Sequence, residues 1–238
     1  MRMLWVALMV PLYALADQPA SFSAAKRELA VIYGVHSVSF YCGCRFGARG
    51  KRLEPDLAGC GYQPRKNANR AGRIEWEHVM PAWVFGHQRQ CWQEGGRRAC
   101  RKDATFKRME ADMHNLVPAI GEVNGDRSNY AYGMISGESR AYGHCDIEVD
   151  FKGRIAEPAA GVRGDIARTY FYMRDRYGLR LSRSETRLLE AWHLTDPVDA
   201  WELERNRRIR QVQGNGNPHV EAAEGVLVSI DAGALADQ

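Results

Sequence analysis

The stretch that decides the fold lies between residues 73 and 129 and contains two short runs. They read Glu75-Trp76-Glu77-His78-Val79-Met80-Pro81 and His114-Asn115-Leu116-Val117-Pro118-Ala119. The first run alternates well enough to predict a strand that Pro81 ends, and the second predicts a short extended segment. Pro118 or Ala119 is then expected to open a helix that contains Asn124. The stretch therefore predicts two extended segments and a helix that meet around one site.

The rest of the chain predicts helices around a small antiparallel sheet. Helical spacing and capping signals mark five segments, at residues 21–33, 103–113, 164–177, 182–192 and 196–212. Alternating apolar residues and a Lys152-Gly153 turn predict a hairpin over residues 145–156. Residues 37–46 are β-prone, whereas residues 51–70 and 91–101 are expected to be loops. The predicted fold class is therefore α+β.

Length and composition favour one domain. The chain has 238 residues, of which 45% are hydrophobic, so folding can bury roughly 70–75% of the surface that the unfolded chain exposes. No long Pro/Gly/Ser linker and no internal repeat divides the sequence. We expect a single mixed domain over residues 17–217, stabilised by disulfides. The last residues, 218–238, are rich in Ala, Gly and Glu and are expected to form a disordered tail.

The N-terminus has the pattern of a signal peptide. A short positive start precedes an apolar run over residues 4–13, and Ala14-Leu15-Ala16 supplies the small-x-small cleavage pattern. We therefore expect residues 1–16 to be removed during export to the periplasm or the medium. The alternative is a buried or membrane-anchoring helix, but the run is short for a bilayer core of about 30 Å. No later segment resembles a transmembrane helix, so no membrane partner is expected for the mature protein.

The charge of the chain says little about its partners. The formal net charge is +4, which is mild and does not by itself indicate a nucleic-acid partner. Arg is favoured over Lys, and guanidinium groups suit bidentate phosphate contacts. Several late arginines are candidates for such contacts: Arg168, Arg174, Arg176, Arg205, Arg207, Arg208 and Arg210. The alternative, which we favour for most of them, is a solvated helix face with pairs such as Glu204 and Arg208.

The cysteines predict disulfides. Their number is even in a chain with an export signal: Cys42, Cys44, Cys60, Cys91, Cys100 and Cys145. Cys91 and Cys100 are close neighbours that bracket a Gly-rich segment, so they are paired first. The pairing of the other four stays open. A zinc site built on Cys42, Cys44, Cys60 and a histidine is the alternative, but zinc sites usually show tighter paired spacing, and an oxidising compartment disfavours free thiolates.

The side chains of residues 73–129 suit the hydrolysis of a phosphodiester. That reaction needs a base for water, charge neutralisation at phosphorus and help for the departing oxygen. A histidine such as His78 is a natural base because its unperturbed pKa is about 6.5. A hard cation such as Mg²⁺ prefers oxygen ligands and keeps several waters, so the Glu77 carboxylate and the Asn124 amide can be enough to hold it. A bulge or strand end would let Glu77 and His78 address the same site.

These residues resemble the ββα-metal, or HNH-type, nucleases, and over a longer span they resemble the bacterial endonuclease I family. The blocks that carry the resemblance lie at residues 74–83, 91–97, 109–121, 124–130, 145–146, 164–170 and 213–217. They cover nearly all of the mature chain. The resemblance implies a periplasmic or secreted nuclease with little sequence specificity, which acts on DNA and has RNA as a second candidate substrate. A monomer is expected.

The resemblance also implies a role for each site residue. His78 would be the general base, and Glu77 and Asn124 would hold one Mg²⁺, with Mn²⁺ or Ca²⁺ as substitutes. Arg97 would contact the phosphate, and cleavage would leave a 5′-phosphate. The Cys91–Cys100 bridge would close the loop that carries Arg97. We also hypothesise that the disulfides keep the protein inactive in a reducing cytosol until it is exported.

Other side chains are candidates for supporting roles. Asn115 is expected to orient the His78 loop by hydrogen bonds rather than to touch the metal, and Glu75 and Glu110 are candidate outer partners. Arg98 is chemically as suitable as Arg97, and only the family resemblance separates them. Glu77 could instead simply pair with an arginine. His114 is equally compatible with a functional and a structural role.

Two other classes of function stay open. A disulfide-stapled nucleic-acid-binding protein without catalysis would bind without cleaving and would be indifferent to EDTA. A secreted zinc protein would be recognised by metal analysis. If His78 is the base, activity should fall on the acid side as His78 takes a proton, so a rate that is flat from pH 5 to pH 8 would count against His78 as base.

Overall fold

The computed structural model describes residues 18–50, 52–137 and 139–223, and it has the predicted α+β architecture. Its helices are α1 (Phe22–Ile32), α2 (Ala68–Ala71), α3 (Ala82–Gly86), α4 (Gln90–Cys100), α5 (Ala104–Glu110), α6 (Gly121–Arg127), α7 (Arg163–Tyr177), α8 (Arg183–Thr195) and α9 (Ala200–Gln213). Its strands are β1 (Phe46–Arg49), β2 (Arg52–Pro55), β3 (Ile74–His78), β4 (Leu116–Ile120), β5 (Ala131–Tyr132), β6 (Ile147–Asp150) and β7 (Ile155–Pro158). The predicted signal peptide, residues 1–16, lies outside the described residues.

The two predicted extended segments pair as an antiparallel ribbon. Strand β3 lies against β4, with Glu77 opposite Val117 and His78 opposite Leu116. All five residues of β4 are buried, which anchors the ribbon in the core. Helix α6 follows at once, but it begins at Gly121, later than predicted. Pro118 belongs to the strand, where it lies opposite Trp76, and its carbonyl accepts a hydrogen bond from Phe40 N at 2.8 Å.

Two other small sheets surround the ribbon. Strands β1 and β2 form an antiparallel pair. The predicted hairpin is confirmed as β6 and β7, and β5 joins β7 in parallel to complete a three-stranded sheet. The prediction for residues 37–46 was largely wrong, because this segment turns on itself with one bridge between Val38 and Arg45. The predicted loop over residues 51–70 contains β2 and α2.

The predicted loop over residues 91–101 is helical. Helix α4 runs through it but is interrupted at Gly95 and Gly96, whose backbone angles are not helical. Gly96 has φ +62° and ψ −155°, a conformation that residues with a Cβ rarely adopt. The glycines that suggested a loop therefore mark a break between two helical turns. Arg97 lies just after this break.

All six cysteines form disulfides. Cys91 is bonded to Cys100, the pair that spacing put first, and the other bonds join Cys42 to Cys145 and Cys44 to Cys60. The alternative of a zinc site on Cys42, Cys44 and Cys60 is therefore excluded in this structure. Three disulfides fit a protein of an oxidising compartment.

Capping side chains mark the residues at which several helices begin. Ser21 caps α1, Asp103 caps α5, and Ser182 with Glu185 forms the predicted capping box of α8. Helix α9 begins later than predicted because Asp199, and not Asp196, accepts the cap hydrogen bond from Glu202 N. Residues 218–223 form a helical turn, in contrast to the predicted disordered tail. Buried Val220 holds this turn against the domain, and the remaining tail lies outside the described residues.

The late arginines mostly serve the fold. Arg168 is buried and reaches Glu202 at 2.5 Å, and Arg208 pairs with Glu204 at 2.5 Å as the i,i+4 spacing predicted. Arg205 donates to the backbone carbonyl of Leu116 at 2.9 Å. The remaining four also have carboxylate partners: Arg174, Arg176, Arg207 and Arg210. Among the described residues, no helix has the length and apolar character needed to cross a membrane.

Candidate active site

Glu77 and His78 are the last two residues of β3. Neighbouring side chains on a strand normally point to opposite faces. Here the strand ends at His78, and both side chains line the same cavity. The chain then turns away, with Val79 N donating to the carbonyl of Asn115 at 3.0 Å. The predicted strand end is therefore what brings the two residues together.

The contacts of His78 fix which of its ring nitrogens carries a proton. Nε2 lies 2.9 Å from the backbone carbonyl of Glu110. A carbonyl can only accept, so Nε2 carries the hydrogen and Nδ1 keeps its lone pair. The ring is buried and stacks on Phe22, with centroids 4.9 Å apart. Burial lowers the pKa of His78 to about 4, so the imidazole is neutral at physiological pH and able to accept a proton.

Glu77 is buried beside a buried arginine. Arg127 Nη1 donates to Glu77 Oε1 at 2.8 Å, and Tyr41 donates to the same oxygen at 3.4 Å. Burial raises the pKa of Glu77 to about 7, and the charge of Arg127 opposes this shift. The hydrogen bonds that the described part of the chain makes to this carboxylate all fall on Oε1, which leaves Oε2 for another partner.

Asn124 is oriented by Glu75. Its Nδ2 lies 2.9 Å from Glu75 Oε2, and because a carboxylate accepts, the Asn124 atom at that contact is the NH₂ group. The amide oxygen of Asn124 is then directed elsewhere. Glu75 is itself held by Arg70 Nη2 at 2.7 Å and by Arg73 Nε at 2.9 Å, and these arginines lower the pKa of Glu75 against the effect of its burial. Glu75 therefore links the Asn124 amide to two arginines.

Glu110 joins His78 to Arg97. Its backbone carbonyl holds His78, while its Oε1 accepts from Arg97 Nε at 2.9 Å and from Nη2 at 2.6 Å. The Arg97 side chain is 47% exposed, so it can leave Glu110 for an anion in the cavity at small cost. Arg97 is the first residue after the interruption of α4 at Gly95 and Gly96, so the path of the backbone at these glycines sets the position from which its side chain extends.

The four side chains predicted to do the chemistry line one cavity of about 380 Å³. They are Glu77, His78, Arg97 and Asn124. Arg98 is absent from the described lining, which separates the two neighbouring arginines on structural grounds. Aromatic residues form much of the remaining wall: Phe22, Trp76, Trp83 and Trp92. Cationic and aromatic groups together suit a ligand with anionic and apolar parts.

The amino-acid sequence matches a family model described as Endonuclease I over residues 22–224. The chain belongs to the Endonuclease I family. The match spans every element described above, including both strands and the helix that carry the cavity residues.

Three relatives show how close this Endonuclease I chain is to other members. A periplasmic deoxyribonuclease of Aeromonas hydrophila is 56% identical over 207 residues, which cover 87% of each chain. An extracellular deoxyribonuclease of Aeromonas hydrophila is 55% identical over 219 residues, covering 92% of this chain and 95% of the relative. Endonuclease-1 of Buchnera aphidicola subsp. Acyrthosiphon pisum is 52% identical over 182 residues, covering 76% and 73%.

Asn115 and His114 support the site of this Endonuclease I chain from outside the cavity. The Asn115 amide accepts from Met80 N at 2.7 Å and donates to Met80 O at 3.0 Å, which fixes the backbone just after His78. His114 is buried with Nε2 at 2.9 Å from the carbonyl of Asn215. His114 is absent from the described lining of this cavity, and its ring packs against Tyr172 with centroids 4.6 Å apart.

Three residues of the site were missed from the sequence. Arg127 forms an ion pair with Glu77, and Phe22 stacks on His78. Tyr41 contacts the Glu77 carboxylate, and its hydroxyl oxygen lies 2.5 Å from that of Tyr132. Only Arg127 left a usable signal, since it follows Asn124 by three residues and such residues share a helix face. Tyr41 and Phe22 come from distant parts of the chain, and no periodic pattern connects them to the site.

The donor set fits a hard cation. Glu77 Oε2 and Asn124 Oδ1 are oxygen ligands of the kind that Mg²⁺, Mn²⁺ or Ca²⁺ accepts, with water in the remaining positions. Across the described residues, no group of three or more His, Cys, Asp or Glu side chains is arranged to hold a metal. The site therefore suits a hydrated cation rather than a fully caged one.

Proposed function

We propose that this chain is an exported, Mg²⁺-dependent endonuclease that hydrolyses phosphodiester bonds of DNA with little sequence specificity, with RNA as a second candidate substrate. The observation that carries the proposal is the convergence of Glu77, His78, Arg97 and Asn124 on one cavity. Its support comes from family membership and from relatives named as periplasmic and extracellular deoxyribonucleases.

His78 is the general base of the proposed reaction. Its Nδ1 takes a proton from the attacking water while Nε2–H stays bound to the Glu110 carbonyl. The water oxygen bonds to phosphorus, the bond from phosphorus to the 3′ oxygen breaks, and a 5′-phosphate results. A positioned base of this kind typically contributes about 10²–10⁴-fold to the rate.

Glu77 and Asn124 would hold the cation through their oxygens. A bound Mg²⁺ supplies charge neutralisation at the phosphate and stabilises the departing oxygen. Arg127 keeps the Glu77 carboxylate in place, and Glu75 keeps the Asn124 amide turned the right way. Arg97 exchanges its contact with Glu110 for the phosphate and offsets negative charge there.

Little sequence specificity is expected of the same site, and the site is compatible with a monomer. Contacts to phosphates position a nucleic acid but carry no sequence information. All four side chains belong to one chain, so no second subunit is needed to complete the site.

Plasmid nicking tests the proposal. The wild type should convert supercoiled DNA to open circles with Mg²⁺ and lose this activity with EDTA. His78→Ala should be slower by about 10²-fold or more. His219→Ala is a matched control, because His219 pairs with Asp175 and is absent from the described cavity lining.

Other outcomes would overturn the proposal. DNA binding without cleavage, unaffected by EDTA, would indicate a binding protein. Stoichiometric zinc in the purified protein would indicate a different metal site. The same assay with RNA in place of the plasmid tests the second substrate.

A further inference from the structure

A second cavity beside the candidate active site carries positive charge. It has a volume of about 720 Å³, and four of its lining residues are cationic: Lys26, Arg27, Arg52 and Arg73. No carboxylate is among its described lining residues. We call this cavity the basic groove. The mild net charge of the whole chain gave no hint of such a concentration.

Three elements build the basic groove. Helix α1 contributes one face, on which Ser23, Lys26, Arg27 and Ala30 recur at helical spacing. The β1–β2 hairpin contributes the opposite wall, with Arg52 at the start of β2. Arg73 enters just before β3. The cations therefore come from separate parts of the chain, which explains why no basic run is visible in the sequence.

Most of these cations lack an anionic partner within the part of the chain that the structure describes. Arg27 donates to the backbone carbonyl of Ser23 at 3.2 Å, and Lys26 lies over the Phe22 ring at 4.8 Å. Arg52 is exposed and makes no described ion pair. Arg73 is the exception, since it shares Glu75 with Arg70. Most of the late arginines differ, because carboxylates already engage them.

The basic groove adjoins the candidate active site. Trp76 lines both cavities. On the α1 side, Lys26 covers the ring of Phe22, and Phe22 stacks on His78. An anionic chain that passes the base can therefore continue along the groove past Trp76. Leu53 and Ile74 add apolar surface between the cations, which suits a ligand whose charges are separated by less polar units.

We propose that the basic groove binds the backbone phosphates of the nucleic-acid strand next to the cleaved bond. This inference rests on the proposed function for the identity of the ligand. Phosphate contacts supply affinity that falls with salt and is independent of sequence. The groove would therefore determine how strongly a long substrate binds, while the cavity around His78 determines how fast it is cut.

The test is DNA binding by full-length His78→Ala protein, with and without Arg27→Gln and Arg52→Gln together. Fluorescence anisotropy with a labelled 16-base-pair duplex gives Kd at several NaCl concentrations. The groove variant should bind about tenfold more weakly or worse at 50 mM NaCl. Its salt dependence should be shallower by about 1.8 in log–log slope, since each lost phosphate contact removes about 0.9.

Control variants separate the groove from bulk charge and from misfolding. Arg187→Gln with Arg207→Gln removes the same charge from exposed positions outside both described linings, and it should bind within about twofold of the parent. Arg27→Lys with Arg52→Lys keeps the charge and should retain most of the affinity. Circular dichroism of each variant reports its folding.

The outcomes for the groove and for the proposed function can be told apart. If the wild type nicks plasmid but the groove variant matches the control variant in Kd and salt slope, the groove proposal is overturned and the nuclease proposal stands. If the wild type cuts nothing but binding still depends on Arg27 and Arg52, the nuclease proposal fails and the groove proposal is supported. The groove variant should bind a trinucleotide with the same Kd as the parent. A higher Kd for the trinucleotide would count against a phosphate contact beyond the cleaved bond.

Discussion

Arg127 Nη1 lies 2.8 Å from Glu77 Oε1, and both side chains are buried. The same guanidinium donates to the backbone carbonyls of His78 at 3.1 Å and Val79 at 2.5 Å. Arg127 therefore ties α6 to the end of β3. Because Asn124 lies one turn earlier on α6, the two proposed cation ligands are fixed relative to one another through this arginine.

Replacing Arg127 should destabilise the protein strongly. Arg127→Met leaves the Glu77 carboxylate buried without its counter-charge, which typically costs about 3–5 kcal/mol. Urea denaturation measures the free energy of unfolding. In the double variant with Glu77→Gln, the loss should be smaller than the sum of the two single losses, because the pair is coupled.

The matched control is Arg207→Met, which removes an exposed arginine that pairs with Glu204. It should change the free energy of unfolding by no more than about 0.5 kcal/mol. Equal losses for Arg127→Met and Arg207→Met would contradict the account of Arg127.

The rate should fall on the acid side at a lower pH than the ordinary pKa of histidine suggests. Burial lowers the pKa of His78 to about 4, and only the neutral imidazole accepts a proton. At saturating Mg²⁺ the rate should therefore hold from pH 8 to about pH 5 and fall below that. This revises the fall between pH 8 and pH 5 that the sequence alone led us to expect. A pH–rate profile checks it, and a limb centred near pH 6.5 would contradict a buried His78 base.

The apparent affinity for Mg²⁺ should weaken as the pH falls through about 7. Burial raises the pKa of Glu77 to about 7, so below that pH a proton occupies the carboxyl and competes with the cation. For one competing proton, the Mg²⁺ concentration for half-maximal activity should rise about tenfold per pH unit below 7. Mg²⁺ titrations of activity at pH 5.5, 6.5 and 7.5 measure this. A constant half-maximal concentration would show that Glu77 does not exchange a proton for the ion.

Removing the Cys91–Cys100 bond should reduce activity more than stability alone explains. The bond closes a short loop and, in the chain-entropy model, contributes about 2–3 kcal/mol to folding. It also brackets the break at Gly95 and Gly96 that directs Arg97. Cys91→Ala with Cys100→Ala should lower kcat for plasmid nicking at a temperature where the variant is still folded. Cys44→Ala with Cys60→Ala is the control, since that bond does not bracket the segment that carries Arg97. An equal loss in both variants would argue against a specific role.

The sequence predicted the centre of the fold better than its margins. Local alternation, Pro81 and the spacing to Asn124 determine the β3–β4–α6 unit, so its strands appear where predicted. The strand predicted from the β-prone residues 37–46 did not form. This segment turns at residues 40–42 and is attached by disulfides to Cys60 and Cys145 in distant parts of the chain, which local composition does not encode. Gly95 and Gly96 predict a loop from the sequence, whereas in the structure they mark a break inside helix α4.

The sequence predicts the side chains that line the candidate site, but not the residues that hold them. Glu77, His78, Arg97 and Asn124 lie within or close to the motif runs, and the structure places them around one cavity. The pKa values of Glu77 and His78 depend on burial by the whole fold, which no local pattern encodes. The basic groove is likewise assembled from distant segments.

Calorimetric titration of Mg²⁺ into wild type, Glu77→Gln and His78→Ala tests the central claim most directly. We predict that Glu77→Gln binds Mg²⁺ roughly tenfold more weakly or worse, while His78→Ala binds it about as tightly as the wild type and yet fails to nick DNA. Undiminished Mg²⁺ binding by Glu77→Gln, or full nicking activity of His78→Ala, would contradict the division of labour between a cation on Glu77 and a base at His78.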